Sequence, residues 1–170
     1  ICNWTNTKCR WRQISLMSDI NSNNADNTVI FSGTKEVAEN LKFDEKRLQE
    51  WFGDNVPSAG KIEKIAQFKG GQSNPTYKIT SEGQEFVLRR KPPGILLPSA
   101  HAVDREYKVI TALQNTKVPV PKTYGLCEDE DVIGTSFFLM DFLDGSIYWD
   151  LLLADKSPKE RTEIYASKNK

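Results

Sequence analysis

Four short stretches of this chain carry residue types that can do chemistry at an anionic, ring-bearing ligand. Gly70-Gly71-Gln72-Ser73-Asn74 begins with two residues that lack a Cβ, so backbone amides there can approach a ligand closely. Phe86-Val87-Leu88-Arg89-Arg90 ends an apolar run on two cations, Asp104-Arg105-Glu106 brings carboxylates that can orient one of them, and Phe137-Phe138-Leu139-Met140-Asp141 is a second apolar run. An amide-lined turn, a strand cation, an acid to hold it and an apolar strand to flank a planar ring are, in that order, the parts of a small nucleotide-binding lobe. Taken singly, Gly70-Gly71 reads as an ordinary hairpin turn. Met140-Asp141 reads equally as a buried strand before a turn at Asp144-Gly145.

The elements that must position these residues follow from spacing. Asp44 is placed to cap a helix with Leu48, Trp51 and Phe52 at helical intervals, Phe43 and Leu48 are placed to form a hydrophobic staple, and Gly53 is expected to end it. Lys61 to Phe68, Thr76 to Thr80 and Glu85 to Arg90 read as three strands joined by turns at Gly70-Gly71 and Glu82-Gly83-Gln84, an antiparallel meander. Alternation along the third strand puts Val87 and Arg89 on one face and Phe86, Leu88 and Arg90 on the other. A slip of one residue would present Arg90 in place of Arg89, and the pattern alone leaves both open.

Lys91-Pro92-Pro93-Gly94 forbids further pairing because proline has no amide hydrogen. Ala102 to Leu113 then reads as a helix with Val103, Tyr107, Ile110 and Leu113 along one stripe, stopped by Val118-Pro119-Val120-Pro121. Glu106 borders the stripe and is placed to meet Arg89, while Asp104 and Arg105 are expected to face solvent. Lys122 to Cys127 and Phe137 to Phe142 read as two more strands, with Glu128-Asp129-Glu130-Asp131 as a solvated turn. That acidic run lacks the alternating ligands and distal Glu of a calcium loop.

Composition narrows the function classes. The 170 residues hold one domain of ordinary size plus tails, and 23 basic residues balance 23 acidic ones with the signs interspersed, so no field for nucleic acid is present. Three cysteines without metal-ligand spacing and a single histidine disfavour zinc and triad chemistry and fit an intracellular, reducing compartment. No run approaches the roughly 18 apolar residues of a membrane span. Residues 1–42 read as a disordered leader, polar and Asn-rich from Asn21 to Thr28. The segment before Met17 is basic, with Lys8, Arg10 and Arg12; it reads as translated upstream sequence ahead of a start at Met17-Ser18-Asp19, and alternatively as part of a transit peptide. Asn3-Trp4-Thr5 is an isolated glycosylation tripeptide.

In combination, Gly-Gly-Gln-Ser-Asn-Pro-Thr, Val-Leu-Arg-Arg-Lys-Pro-Pro-Gly, Leu-Pro-Ser-Ala-His, Asp-Arg-Glu-Tyr, Val-Pro-Val-Pro-Lys and Phe-Leu-Met-Asp closely resemble the aminoglycoside-phosphotransferase-like kinase domain that precedes the dehydrogenase in acyl-CoA dehydrogenase family members ten and eleven. The resemblance covers roughly residues 43 to 168. It implies an α+β, protein-kinase-like N-lobe with a five-stranded antiparallel sheet and one packed helix, preceded by an N-terminal helix. The lobe and hinge would span 43–145, and 146–170 would begin a truncated helical C-lobe. It further implies that Gly70, Gly71, Ser73 and Asn74 cover the phosphates of ATP, that Arg89 holds the α- and β-phosphates where most kinases use lysine, and that Glu106 orients it. Val87 would lie against the base, and Met140, Asp141 and Leu143 would form the strand end and hinge. His101 is expected to position or cap.

The family's His-Gly-Asp segment and later metal-binding Asp have no counterpart among these residues, so no catalytic and no metal ligand residue is assigned and phosphoryl transfer by this chain alone is not expected. In the full-length relatives the resemblance implies ATP with Mg2+, a hydroxyacyl-CoA substrate and FAD in the fused dehydrogenase, in fatty-acid breakdown in mitochondria or peroxisomes. The alternative is a naturally short, non-catalytic interaction or regulatory module. Ile147, Tyr148, Trp149 and Leu151-Leu152-Leu153 are expected to leave an apolar patch that promotes self-association.

Overall fold

Proline-free runs of alternating apolar residues fix the architecture of the computed structural model, which describes residues 33–70, 73–94, 101–145 and 152–168. In chain order the elements are β1 (Thr34–Lys35), α1 (Glu45–Asn55), β2 (Ile62–Phe68), β3 (Thr76–Ser81), β4 (Gln84–Arg90), α2 (Val103–Leu113), β5 (Thr123–Cys127), α3 (Glu130–Ile133), β6 (Phe137–Asp141) and α4 (Pro158–Lys168). The strands form one antiparallel sheet in the order β1-β2-β3-β4-β6-β5. β6 thus returns between β4 and β5, and puts the end of the last strand beside Val87.

The sheet has two faces with different work. Tyr77 and Ile79 of β3, Phe86 and Leu88 of β4, and Phe137 and Leu139 of β6 share the face packed under α1, all essentially without solvent exposure. Phe52 meets Phe86 edge-on at 5.2 Å, and Trp51 meets Phe137 at 4.7 Å. The opposite face carries Val87, Arg89, Phe138 and Met140, and α2 crosses it through Tyr107, whose ring lies 5.9 Å from that of Phe138. The turn between β3 and β4 is a two-residue hairpin in which Glu82 and Gly83 both take positive φ, 44° and 79°, as the twist of paired strands favours.

Several details differ from expectation. Order begins before Phe43: β1 adds to the edge of β2, the Ala38 amide donates to Gln67 Oε1 at 3.1 Å, and Val37 packs on the core, so the polar composition further upstream does not extend through this segment. The sheet therefore has six strands, not five. α1 runs through Gly53 to Asn55, because Leu48 and Phe52 anchor its buried side and Asn55 Nδ2 donates back to the Trp51 carbonyl at 2.8 Å; these contacts outweigh the roughly 1 kcal/mol cost of a mid-helix glycine. The acidic run is exposed as expected, yet its second half folds into α3, capped by Asp129, whose carboxylate accepts from the Asp131 amide.

Residues 33–145 make up one compact unit. In the other, α4 starts with a reciprocal capping box: the Ser157 amide donates to Glu160 Oε2 at 2.8 Å and the Glu160 amide to Ser157 Oγ at 3.3 Å, which lowers the Glu160 pKa. Of the expected apolar patch, residues 147–151 lie outside the described residues, Leu152 is exposed and Leu153 is buried. Residues 1–32 also lie outside them.

Candidate functional site

Arg89 is the penultimate residue of β4, and the pleat turns it toward α2. Its Nε donates to Glu106 Oε2 at 2.8 Å and its Nη1 to Thr76 Oγ1 at 3.4 Å. Glu106 stands in the first turn of α2, seventeen residues away in sequence, and the two side chains are 28% and 31% exposed. The cation is therefore held but not sealed, the state a phosphate-binding arginine needs. These two contacts use Nε and one Nη of a group that carries five N–H bonds.

Arg90 settles the register by going the other way. It is 4% exposed, its Nε donates to Thr135 Oγ1 at 2.8 Å and its Nη1 to the Leu41 carbonyl at 3.1 Å, and its guanidinium lies 5.5 Å from the centre of the Phe43 ring. It is a core cation satisfied by neutral oxygens and an aromatic face. Sequence alternation placed it with Phe86 and Leu88 but carried no sign of these partners.

Val87, two residues before Arg89, is buried on the same face as it, and its cross-strand partners are Lys78 and Met140. Met140 is half-buried. Asp141, next along, pairs with Phe86, and its carboxylate turns to the α1 side, where it accepts a 2.5 Å hydrogen bond from the Tyr124 hydroxyl. Burial, then this carboxylate, push the Tyr124 phenol up to about 12. The Asp141 and Phe142 amides are already bonded, to the Lys122 carbonyl at 2.9 Å and the Glu85 carbonyl at 3.2 Å. The chain leaves the ladder at Leu143, which is 61% exposed.

On the turn side, Gly70 and Ser73 are described and Gly71 is not. Asn74 is 7% exposed, and its Oδ1 lies 3.0 Å from His101 Nδ1 just ahead of α2. Thus Asn74, Val87, Arg89, Glu106 and Met140 come together on the α2 side of the sheet, while the Asp141 side chain does not. Thr76 was not singled out by sequence, because a threonine opening a strand is unremarkable; only the pairing of Thr76 with Arg89 across β3 and β4 gives it a place here. Phe142 was equally silent. Its ring stacks on Phe68 at 6.2 Å and carries the Lys78 ammonium at 4.1 Å, with Lys78 also paired to Glu85 at 2.7 Å. A shallow groove of about 390 Å³ lies along α2, lined by His101, Ala102, Arg105, Glu106, Val109 and Ile110. It takes no residue from the sheet, so it is not the Val87–Arg89 surface.

The profile of the phosphotransferase enzyme family matches residues 64–167, more than half of the chain. The chain belongs to that family. A crystal structure from Ralstonia eutropha, provisionally assigned as an aminoglycoside phosphotransferase, superposes with a TM-score of 0.62 at 45% identity, over 74% of this chain and 35% of that one. Human acyl-CoA dehydrogenase family member 11 is 42% identical over 143 residues, 80% of this chain and 18% of the relative. Mouse acyl-CoA dehydrogenase family member 10 is 47% identical over 125 residues, 74% of this chain and 11% of the relative. The chain thus spans less than a fifth of the length of these two curated relatives. The fold is the α+β, kinase-like fold of phosphotransferases, and the match covers the whole stretch from β2 into α4.

Arg89 presents a partly exposed guanidinium, a group whose paired donors match the oxygens of carboxylates and phosphates. Among the described residues no group of three or more His, Cys, Asp or Glu side chains could hold a metal ion. No helix among them is long and apolar enough to cross a membrane.

Proposed function

We propose that this chain is the nucleotide-binding lobe of a small-molecule phosphotransferase. The α- and β-phosphates of ATP lie on Arg89, held in orientation by Glu106, under the backbone of the Gly70–Asn74 turn. The base lies against Val87 and Met140, and the first backbone groups past the ladder, from Leu143, meet its edge. The observation that carries this reading is the 2.8 Å Arg89–Glu106 contact on the same sheet face as Val87. Charge-assisted bonds to a fixed guanidinium are the strong ones, and glycine lets the neighbouring backbone follow the ligand.

The chain spans less than a fifth of relatives named as acyl-CoA dehydrogenase family members, which supports reading it as one lobe of a longer polypeptide. We extend the proposal accordingly: the whole protein phosphorylates a hydroxyacyl-CoA ahead of a flavin-dependent dehydrogenation, in fatty-acid breakdown in mitochondria or peroxisomes. Calorimetric titration of the chain with ATP, in magnesium-containing buffer, tests the first part. Binding that weakens about tenfold or more in Arg89→Ala, a loss of about 1.4 kcal/mol, is expected. Absence of heat at millimolar nucleotide in the folded wild-type chain would overturn the nucleotide reading and leave an interaction module.

A further inference from the structure

We infer that His101 is a positioning residue: its ring latches Asn74, just ahead of β3, to the start of α2, so that Asn74 and the Arg89–Glu106 pair are held in one loop of hydrogen bonds and backbone links. This rests on the nucleotide reading for its functional meaning, but not for its geometry.

The circuit can be followed atom by atom. His101 Nδ1 lies 3.0 Å from Asn74 Oδ1. An amide oxygen only accepts, so Nδ1 carries the proton. The Asn74 backbone carbonyl accepts from Thr76 Oγ1 at 3.0 Å, and the same Thr76 oxygen accepts from Arg89 Nη1 at 3.4 Å. Arg89 Nε donates to Glu106 at 2.8 Å, and the Glu106 amide donates to the Ala102 carbonyl at 3.3 Å, which returns the path to the residue after His101. Turn, β3, β4 and α2 each supply a member.

Three observations set His101 apart from an ordinary loop residue. Its backbone takes φ 57°, a left-handed conformation that a non-glycine side chain adopts at a cost and that persists only where surrounding contacts require it. The ring nitrogen Nδ1 faces Asn74 and not the helix, whose Val103 amide is taken by the His101 carbonyl at 2.9 Å. The capping role open to it in the sequence is thus replaced by a contact across 27 residues to a side chain that is itself 7% exposed. A buried amide oxygen needs its partner, so removing the imidazole loosens the Asn74 end of the turn specifically.

The consequence is selective. Loosening the turn should weaken the hold on phosphates while leaving the base surface of Val87 and Met140 intact. Three chains, wild type, His101→Ala and His101→Gln, are compared by amide hydrogen exchange without nucleotide and by titration with ATP and with adenosine. In His101→Ala the Ser73 and Asn74 amides should exchange about fivefold faster or more, with Ile79 unchanged, as expected for loss of one hydrogen bond in a local opening. ATP affinity should fall by a similar factor while adenosine affinity holds, and glutamine, which restores an N–H donor, should recover both. Unchanged exchange at residues 73 and 74, or equal weakening of ATP and adenosine, would overturn the latch. If wild type takes up no ATP, the nucleotide reading falls and the exchange data still decide the latch.

Discussion

Adjacent arginines on opposite faces of β4 should give opposite phenotypes, and the sizes can be worked from their contacts. Arg90→Ala removes two hydrogen bonds from a charged donor, each about 1.5–3 kcal/mol, and a cation over the Phe43 ring worth about 0.5–1 kcal/mol. Against this stands the relieved cost of keeping a charge at 4% exposure, several kcal/mol by itself. The acceptors are not orphaned either: the Leu41 carbonyl keeps the Tyr77 hydroxyl at 3.2 Å, and Thr135 Oγ1 still donates to the Lys91 carbonyl at 2.8 Å. With the side-chain void added, the net loss should be about 2–4 kcal/mol, a large share of a domain's usual 5–15. Arg89→Ala gives up one partly exposed ion pair and should cost less than about 1 kcal/mol. Urea unfolding followed by tryptophan fluorescence at unchanged m-value reads both, and ATP titration of the folded variants should show loss for Arg89→Ala and retention for Arg90→Ala. Equal destabilisation, or loss of nucleotide from Arg90→Ala with Arg89→Ala unaffected, would refute the assignment of faces.

Ser81 is fully buried and its hydroxyl reaches the Ala59 carbonyl at 2.6 Å and the Lys61 carbonyl at 2.7 Å, so Ser81→Ala should lower unfolding free energy by about 1–3 kcal/mol in the same assay. Asp44 caps α1 through the Lys46 and Arg47 amides, and Asp44→Ala should cost about 1 kcal/mol, read as a lower denaturation midpoint. The Tyr124 phenol titrates near 12 in the fold against about 10 when unfolded, so the unfolded chain loses this proton first as pH rises; the advantage of wild type over Tyr124→Phe should be full below pH 10 and disappear as pH passes about 12. A constant difference across that range in pH-dependent unfolding would sink the Tyr124–Asp141 coupling.

Features set by local period were legible in the residues. The two-residue alternation of Phe86-Val87-Leu88-Arg89 separated the faces of β4, and the helical stripe with Glu106 at its border aimed that carboxylate at the sheet. Glu82-Gly83 and Ser157-Pro158-Lys159-Glu160 announced their turn and helix start because few residue types satisfy those backbones. What stayed hidden were contacts decided by tertiary neighbours. β1 exists because β2 offers an open edge, α1 passes Gly53 because its buried face is anchored, and Asp141, which the pleat sends to the α1 face, finds the Tyr124 hydroxyl there only because β5 pairs with β6. Composition has no term for any of these. The Thr76 bridge belongs with them: threonine at a strand start is common, and its meaning comes from cross-strand register with Arg89.

The same register explains why arginine suits position 89. Two anchors lie on different elements, Glu106 on α2 and Thr76 on β3, and they are met by different nitrogens of one planar group, at 2.8 and 3.4 Å. A lysine ammonium concentrates its donors on one atom and cannot occupy both positions at once, so it would choose an anchor and release the other. With arginine, the acid fixes the fork through Nε and the threonine fixes its rotation through Nη1, which orients the plane of the guanidinium before any ligand arrives. Orientation in advance lowers the entropy lost on binding, and a fork already aligned can meet two phosphate oxygens in parallel. The cation is thus held from two elements, and the residue just ahead of the helix that carries Glu106 is tied, through the His101 ring, to Asn74 ahead of β3.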